Sequence, residues 1–207
     1  MKWVGNRLYI QGVFLVVAEQ WANMEPVRTT SCLSQMKELT NIPGDVLELG
    51  VAFGVTSVTL ASWLKSENIN KKVYACDTFQ GLPCVTEHDG KLKKGAINWK
   101  IDHLNNSIVE HGVQDYIIPV VGKIEDTLPD LSKKTKFCFV FFDLDIYEST
   151  VFAIKLLVPL LPKGAVMGFH DYGFHLTPGI KKAVDEADMS LFTKLNSSKD
   201  VLFFSKV

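Results

Sequence analysis

Five short, almost uninterrupted apolar runs, at 46–49, 73–76, 117–121, 137–142 and 165–169, alternate along this chain with helix-length stretches at 55–65, 97–111, 124–131, 147–160 and 178–187. Strands that are apolar throughout, rather than at every second residue, are covered on both faces, and that is the signature of a parallel sheet with helices on each side. The alternation begins after the breaker Asn41-Ile42-Pro43-Gly44. Two more strand-like runs, 191–195 and 201–206, flank the turn-rich Asn196-Ser197-Ser198-Lys199-Asp200 and read as an antiparallel hairpin at the end of the sheet. The predicted fold is α/β: a doubly wound, mostly parallel, seven-stranded sheet with a C-terminal antiparallel hairpin and N-terminal helices. Residues 8–24 and 28–40 read as those helices, so 1–43 is expected to pack on the core or cover the site, with 44–207 forming the sheet domain. The longest irregular piece, 81–95, suits a lid or a substrate loop.

A chain of 207 residues fits one domain of this kind. Its 22 Lys and Arg balance 23 Asp and Glu, and its basic pairs (Lys71-Lys72, Lys93-Lys94, Lys133-Lys134, Lys181-Lys182) are scattered. Neither feature makes a phosphate-binding surface, so a nucleic-acid partner is not expected. No apolar run reaches the roughly 20 residues of a membrane span. Lys2 and Arg7 precede an apolar stretch that imitates a signal peptide, but Gln11 and Gly12 interrupt it and Glu19-Gln20-Trp21 continue it as an amphipathic helix. Cys32, Cys76, Cys84 and Cys138 form no C-x-x-C pair and read as reduced thiols, in keeping with a cytoplasmic protein.

In an open α/β sheet, ligands lie beyond the carboxyl ends of the strands where strand order reverses. The first sheet strand ends in Glu48-Leu49-Gly50-Val51-Ala52-Phe53-Gly54, and a helix follows. Glycines here let backbone approach a ligand. The spacing is G-x-x-x-G rather than G-x-G-x-x-G, which counts against a nicotinamide enzyme. Alone it is equally well explained by a tight strand-to-helix turn. Glu48 suits a cofactor with a cationic amino-acid end. Asp77 ends the second strand, 27 residues after Gly50. A carboxylate there can accept from ribose hydroxyls, or simply cap the following turn. The two features together point to a nucleoside-containing cofactor.

Further along, Asp77-Thr78-Phe79-Gln80-Gly81-Leu82-Pro83, Asp126-Thr127-Leu128-Pro129, Asp143-Leu144-Asp145-Ile146-Tyr147-Glu148-Ser149-Thr150 and His170-Asp171-Tyr172-Gly173 follow in order, then Pro178-Gly179 and Lys182-Ala183-Val184-Asp185. Over about 43–186 this resembles the macrocin O-methyltransferase family, within the Rossmann-like class I methyltransferases. The resemblance implies S-adenosylmethionine as cofactor, a divalent cation (magnesium or manganese) and methyl transfer to a sugar hydroxyl of a small molecule. It implies cofactor roles for Glu48, Gly50, Gly54 and Asp77, metal roles for Asp143 and Asp171, and a general base at Asp145. Val51, Ala52, Phe53, Thr78, Phe79 and Asp143 are expected to touch the cofactor as well, and Gly122, Lys123 and Ile124 to flank its adenine. Where the family has Asp-Asp-Tyr, this chain has His170-Asp171-Tyr172. A histidine ligand suits manganese, iron, cobalt or nickel better than magnesium. Without a metal, His170 becomes a second candidate base beside Asp145.

A neutral sugar hydroxyl is a poor nucleophile and needs a base, a metal, or both. Capping of the helix starting near Tyr147 accounts for some of these acids, but two adjacent strand ends carry three acids and a histidine. Trp99 and Phe79 could pack on adenine or substrate, or fill the core; His175 could face substrate or sit on a surface loop. Two other readings stay open: a catechol or phenol acceptor on the same fold, and a cofactor-binding domain whose His170 impairs the metal site. A homo-oligomer also stays open.

Overall fold

The computed structural model describes residues 2–4, 7–10, 13–16, 25–195 and 201–207. Its first three strands, β1 (Lys2–Val4), β2 (Arg7–Ile10) and β3 (Val13–Val16), form a small antiparallel sheet in the order β1-β2-β3. The predicted helix over 8–24 is corrected here: 7–10 and 13–16 are strands, and 17–24 lie outside the described residues. Leu8-Tyr9-Ile10 and Val13-Phe14-Leu15-Val16 are rich in branched and aromatic residues, and only two residues separate each pair of strands, the spacing of a hairpin. Helix α1 (Glu25–Glu38) follows, close to the predicted 28–40.

The main sheet is built from β4 (Asp45–Leu49), β5 (Val73–Asp77), β6 (Ile117–Val121), β7 (Phe137–Phe142), β8 (Val166–His170), β9 (Phe192–Lys194) and β10 (Val201–Lys206). Between them run α2 (Val55–Ser66), α3 (Ile101–His111), α4 (Ile124–Lys134), α5 (Tyr147–Leu157) and α6 (Pro178–Asp185). The seven strands lie in the order β6-β5-β4-β7-β8-β10-β9, with β4 to β8 mutually parallel and β9 and β10 closing the sheet as an antiparallel pair. This is the predicted doubly wound sheet with its terminal hairpin. Strand order reverses between β4 and β7.

Apolar runs bury both faces. Cys138, Phe139 and Phe141 join the layer that includes Leu33, Leu60 and Trp63, whereas Val140 and Phe142 join the layer of Leu128, Ile154 and Leu157 on the other side. Phe139 is fully buried, with its ring 6.4 Å from that of Phe141 and 6.5 Å from that of Phe203. Phe139→Ala is expected to cost about 3–5 kcal/mol of stability, as truncating a buried aromatic does. Urea denaturation measures it, and a loss under about 1 kcal/mol would mean that the layer collapses into the space.

Helix α3 begins at Ile101, not at Ile97. Ile97 sits in the left-handed region at φ 57°, which a helix cannot include. The stretch before it is an excursion closed at its neck, with Gly95 N donating to the Leu82 carbonyl and Leu82 N to the Ala96 carbonyl, each at 2.9 Å. Asp89, 1% exposed, fastens the excursion to the sheet domain. Its carboxylate accepts from the backbone N–H groups of Thr86 at 2.7 Å and Tyr147 at 2.6 Å. None of the helices is long and apolar enough to cross a membrane, among the described residues.

Candidate active site

Sheet register brings the site together. Leu49 pairs with Phe142, and Phe142 with Phe169, so the next residues along, Gly50, Asp143 and His170, emerge side by side at the carboxyl edge. This is the point of strand-order reversal, and a cavity of about 530 Å³ opens there. Ligand pockets of this size, at this place in an open sheet, are the usual arrangement. Gly50, Val51, Ala52 and Phe53 form one wall, Asp77, Thr78 and Ile124 another, and Asp143, Asp145, His170 and Asp171 the polar end. The excursion supplies Leu82, Pro83 and Leu92, and Ile97 lines the cavity just after its neck.

The expected cofactor residues divide. Asp77 ties the walls together: one oxygen accepts from Val51 N at 2.8 Å and Ala52 N at 3.0 Å, the other from Phe79 N at 2.7 Å. A carboxylate offers about four lone-pair sites, so these amides leave room for one ribose hydroxyl rather than two. Asp77 is thus both a turn cap and a cavity residue. Glu48 does not line the cavity. It is 1% exposed beneath the glycine turn and accepts a hydrogen bond from Ser57 in the first turns of α2. Gly54, Phe79, Gly122 and Lys123 also lie off the cavity wall, whereas Ile124 is on it. Gly50 lines the cavity at φ 85°, but a Cβ there would overlap the Asp143 carbonyl oxygen. Its missing side chain therefore serves the junction of β4 with β7 rather than space for a ligand.

Trp99 lines the cavity, its ring 3.7 Å from that of Phe53 between centroids. His175 does not line it and packs edge-on against Phe174, which does. All four cysteines are thiols, and burial, with Glu48 and Asp77 nearby, pushes Cys76 up to about 12.

At the polar end, His170 Nδ1 lies 2.7 Å from Asp143 Oδ1 and 3.2 Å from Asp171 Oδ1. Asp143 Oδ2 accepts from the Arg28 guanidinium at 2.6 Å. Arg28 comes from α1, which packs against α2 and β8. No motif or spacing in the sequence singles it out. Asp145 and Asp171 both adopt left-handed backbone, at φ 63° and 59°, a cost that residues bear where surrounding structure fixes them.

Burial alone would raise the Asp143 carboxyl, but the charges of His170 and Arg28 outweigh it and hold it at about 2. Burial would lower the His170 imidazole, and Asp143 outweighs that and raises it. Burial, then the charges of Asp143 and Asp171, raise Asp145 well above the usual carboxylate range. Burial is also the largest influence on Asp171, which is raised too.

Asp143, His170 and Asp171 bring donor atoms within 4.8 Å of one another, as a metal site requires. Each Asp143 oxygen already faces an N–H donor, one of them the Arg28 guanidinium, so an ion there would share the carboxylate with a positive charge; His170 Nδ1 carries the hydrogen of its bond to Asp143, which leaves the ring's lone pair on Nε2.

A profile of the family described as methyltransferase domain matches residues 47–172, the span from β4 to just past β8. The chain belongs to this methyltransferase-domain family. The domain is 30% identical over 162 residues to demethyldecarbamoylnovobiocin O-methyltransferase of Streptomyces niveus, covering 70% of this chain and 58% of that protein. It is 26% identical over 141 residues to a tetracenomycin rhamnosyl 4'-O-methyltransferase of Streptomyces olivaceus, covering 63% and 54%. The methyltransferase domain thus spans little more than half the length of these relatives. The solved structure of the O-methyltransferase NovP superimposes with a TM-score of 0.76 at 22% identity, covering 87% of this chain and 80% of that one. That likeness concerns the fold.

Proposed function

We propose that this methyltransferase domain transfers a methyl group from S-adenosylmethionine to a hydroxyl of a small molecule. A sugar hydroxyl is the acceptor favoured by the rhamnosyl 4'-O-methylating relative and by the narrower resemblance to macrocin O-methyltransferases. The observation that carries the reading is the Asp143–His170 pair at the polar end of a cavity that the glycine turn also lines.

Gly50, Val51, Ala52 and Phe53, with Asp77, Thr78 and Ile124, are the residues that would hold the cofactor. Bound there, it supplies a methyl on a cationic sulfonium, whose sulfur leaves as a neutral thioether. The chain's own task is to position the acceptor and take its proton. With Nδ1–H donating to Asp143, the nitrogen of His170 left for that proton is Nε2. Asp143 fixes the tautomer and stabilises the imidazolium that results, as the aspartate of a hydrolytic triad does. Asp145 is the less available base, because burial and its two acidic neighbours favour its protonated form. It serves better as a hydrogen-bond donor to the acceptor. Leu92, Ile97, Trp99, Phe174 and Leu176 make the rest of the wall apolar, so the acceptor presents an apolar body beside its hydroxyl.

Asp77→Ala tests the cofactor half by calorimetry. Losing a charged acceptor from the cavity and untying Val51 and Ala52 should weaken S-adenosylmethionine binding by about 1.5–3 kcal/mol, roughly 10- to 150-fold. Unchanged affinity would remove Asp77 from the site. A wild-type protein that binds no S-adenosylmethionine would end the reading.

A further inference from the structure

We infer that Arg28 and His170 together occupy the place of a divalent cation in this site, so that methyl transfer here needs no metal. The inference rests on the function proposed above and concerns how its polar end is balanced. A metal ion binds through lone pairs. Asp143 has committed one oxygen to the Arg28 guanidinium at 2.6 Å and the other to His170 Nδ1 at 2.7 Å. Nδ1 carries hydrogen in that bond whether the ring is neutral or cationic, so it has no lone pair to give. What an ion would find is the second lone pair of each Asp143 oxygen, beside the guanidinium or the imidazole N–H, the Nε2 lone pair that the proposed reaction uses for its proton, and the Asp171 carboxylate 3.2 Å from Nδ1.

The partners are nearly enclosed, with Arg28 and Asp143 side chains each 15% exposed, His170 11% and Asp171 13%. At that depth an ion on Asp143 would stand against the guanidinium, and displacing the guanidinium would leave a buried acid less well paired. Guanidinium is suited to the place, being planar, permanently charged and weakly hydrated. Two features of the sequence agree with each other here. The histidine that replaces a carboxylate removes one negative charge from the cluster, and the arginine on α1 adds a positive one. Relative to a cluster of three carboxylates, the two changes shift the charge by two, the amount that a divalent ion would bring. Arg28 is then a positioning residue: it holds Asp143, which holds His170.

The test is a titration of manganese monitored by electron paramagnetic resonance, on wild type and on the double variant Arg28→Met/His170→Asp. The readout uses neither cofactor nor acceptor, so it stands or falls apart from the proposed reaction. Wild type should leave the free-manganese signal undiminished, and its turnover should be the same with and without chelator. The folded double variant, with three carboxylates and no guanidinium, should quench the signal stoichiometrically. A merely structural role for Arg28 would not produce that gain. Stoichiometric binding by wild type, lost in Asp171→Asn, would overturn the inference whether or not the double variant folds. So would a folded double variant that binds no manganese, because Arg28 and His170 would then not be what excludes the ion.

Discussion

His170→Asn is expected to lower kcat by about 10²- to 10⁴-fold, the range for removing a general base, while leaving the affinity for S-adenosylmethionine nearly unchanged. Asparagine can still donate to Asp143 from its amide, so the cluster keeps its shape and loses only Nε2. The pH profile separates this role from a structural one. The active form of His170 is the neutral ring, and Asp143 holds the imidazole above its ordinary value despite burial. Activity of the wild type should therefore rise with pH, with its limb above about pH 6.5, the reference value for a free imidazole. In the asparagine variant that limb should vanish and the residual rate stay flat across it. Rates measured at saturating cofactor from pH 5.5 to 9 decide the matter. A variant that retains the limb would move the base to Asp145, whose raised carboxyl also titrates above its usual range.

That His170 could be a base at all was legible in the sequence; that Asp143 orients it was not. The alternation of apolar runs located the five parallel strands of the main sheet, because covered parallel strands leave a continuous signal that needs no partner information. The same argument failed at 8–24, where apolar residues without clear period suit either element and where the separating pairs Gly5-Asn6 and Gln11-Gly12 were the better guide. Strand ends carry the chemistry in such a sheet, so Asp77, Asp143, Asp145, His170 and Asp171 could be picked out before their neighbours were known. Arg28 could not. It reaches Asp143 across 115 residues of chain, from a helix whose position on the sheet no local pattern encodes. Glu48 shows the converse. Its place in a recognisable motif suggested a ligand contact, yet strand alternation turns it toward α2 and Ser57, away from the cavity.

Gly50→Val tests how far the glycine turn belongs to the fold rather than to the ligand. Two costs add at this position. A β-branched residue at φ 85° sits in a region that L side chains avoid, worth about 1–2 kcal/mol. Its Cβ also overlaps the Asp143 carbonyl oxygen, which is backbone and cannot rotate aside. Relieving that overlap means moving the end of β7 away from β4, and overpacking of this kind costs about 1–3 kcal/mol. The sum, about 2–5 kcal/mol, is a large part of the stability of an ordinary domain. The expected result is a strongly lowered urea midpoint, with cofactor binding lost only as a consequence. Calorimetry and denaturation on Gly50→Ala refine the point, since alanine meets the same oxygen with less bulk. If either variant kept wild-type stability while losing the cofactor, Gly50 would be clearing space for a ligand after all. The junction of β4 and β7 would then have to be looser than the hydrogen bond from Asp143 N to the Leu49 carbonyl, 2.8 Å, implies.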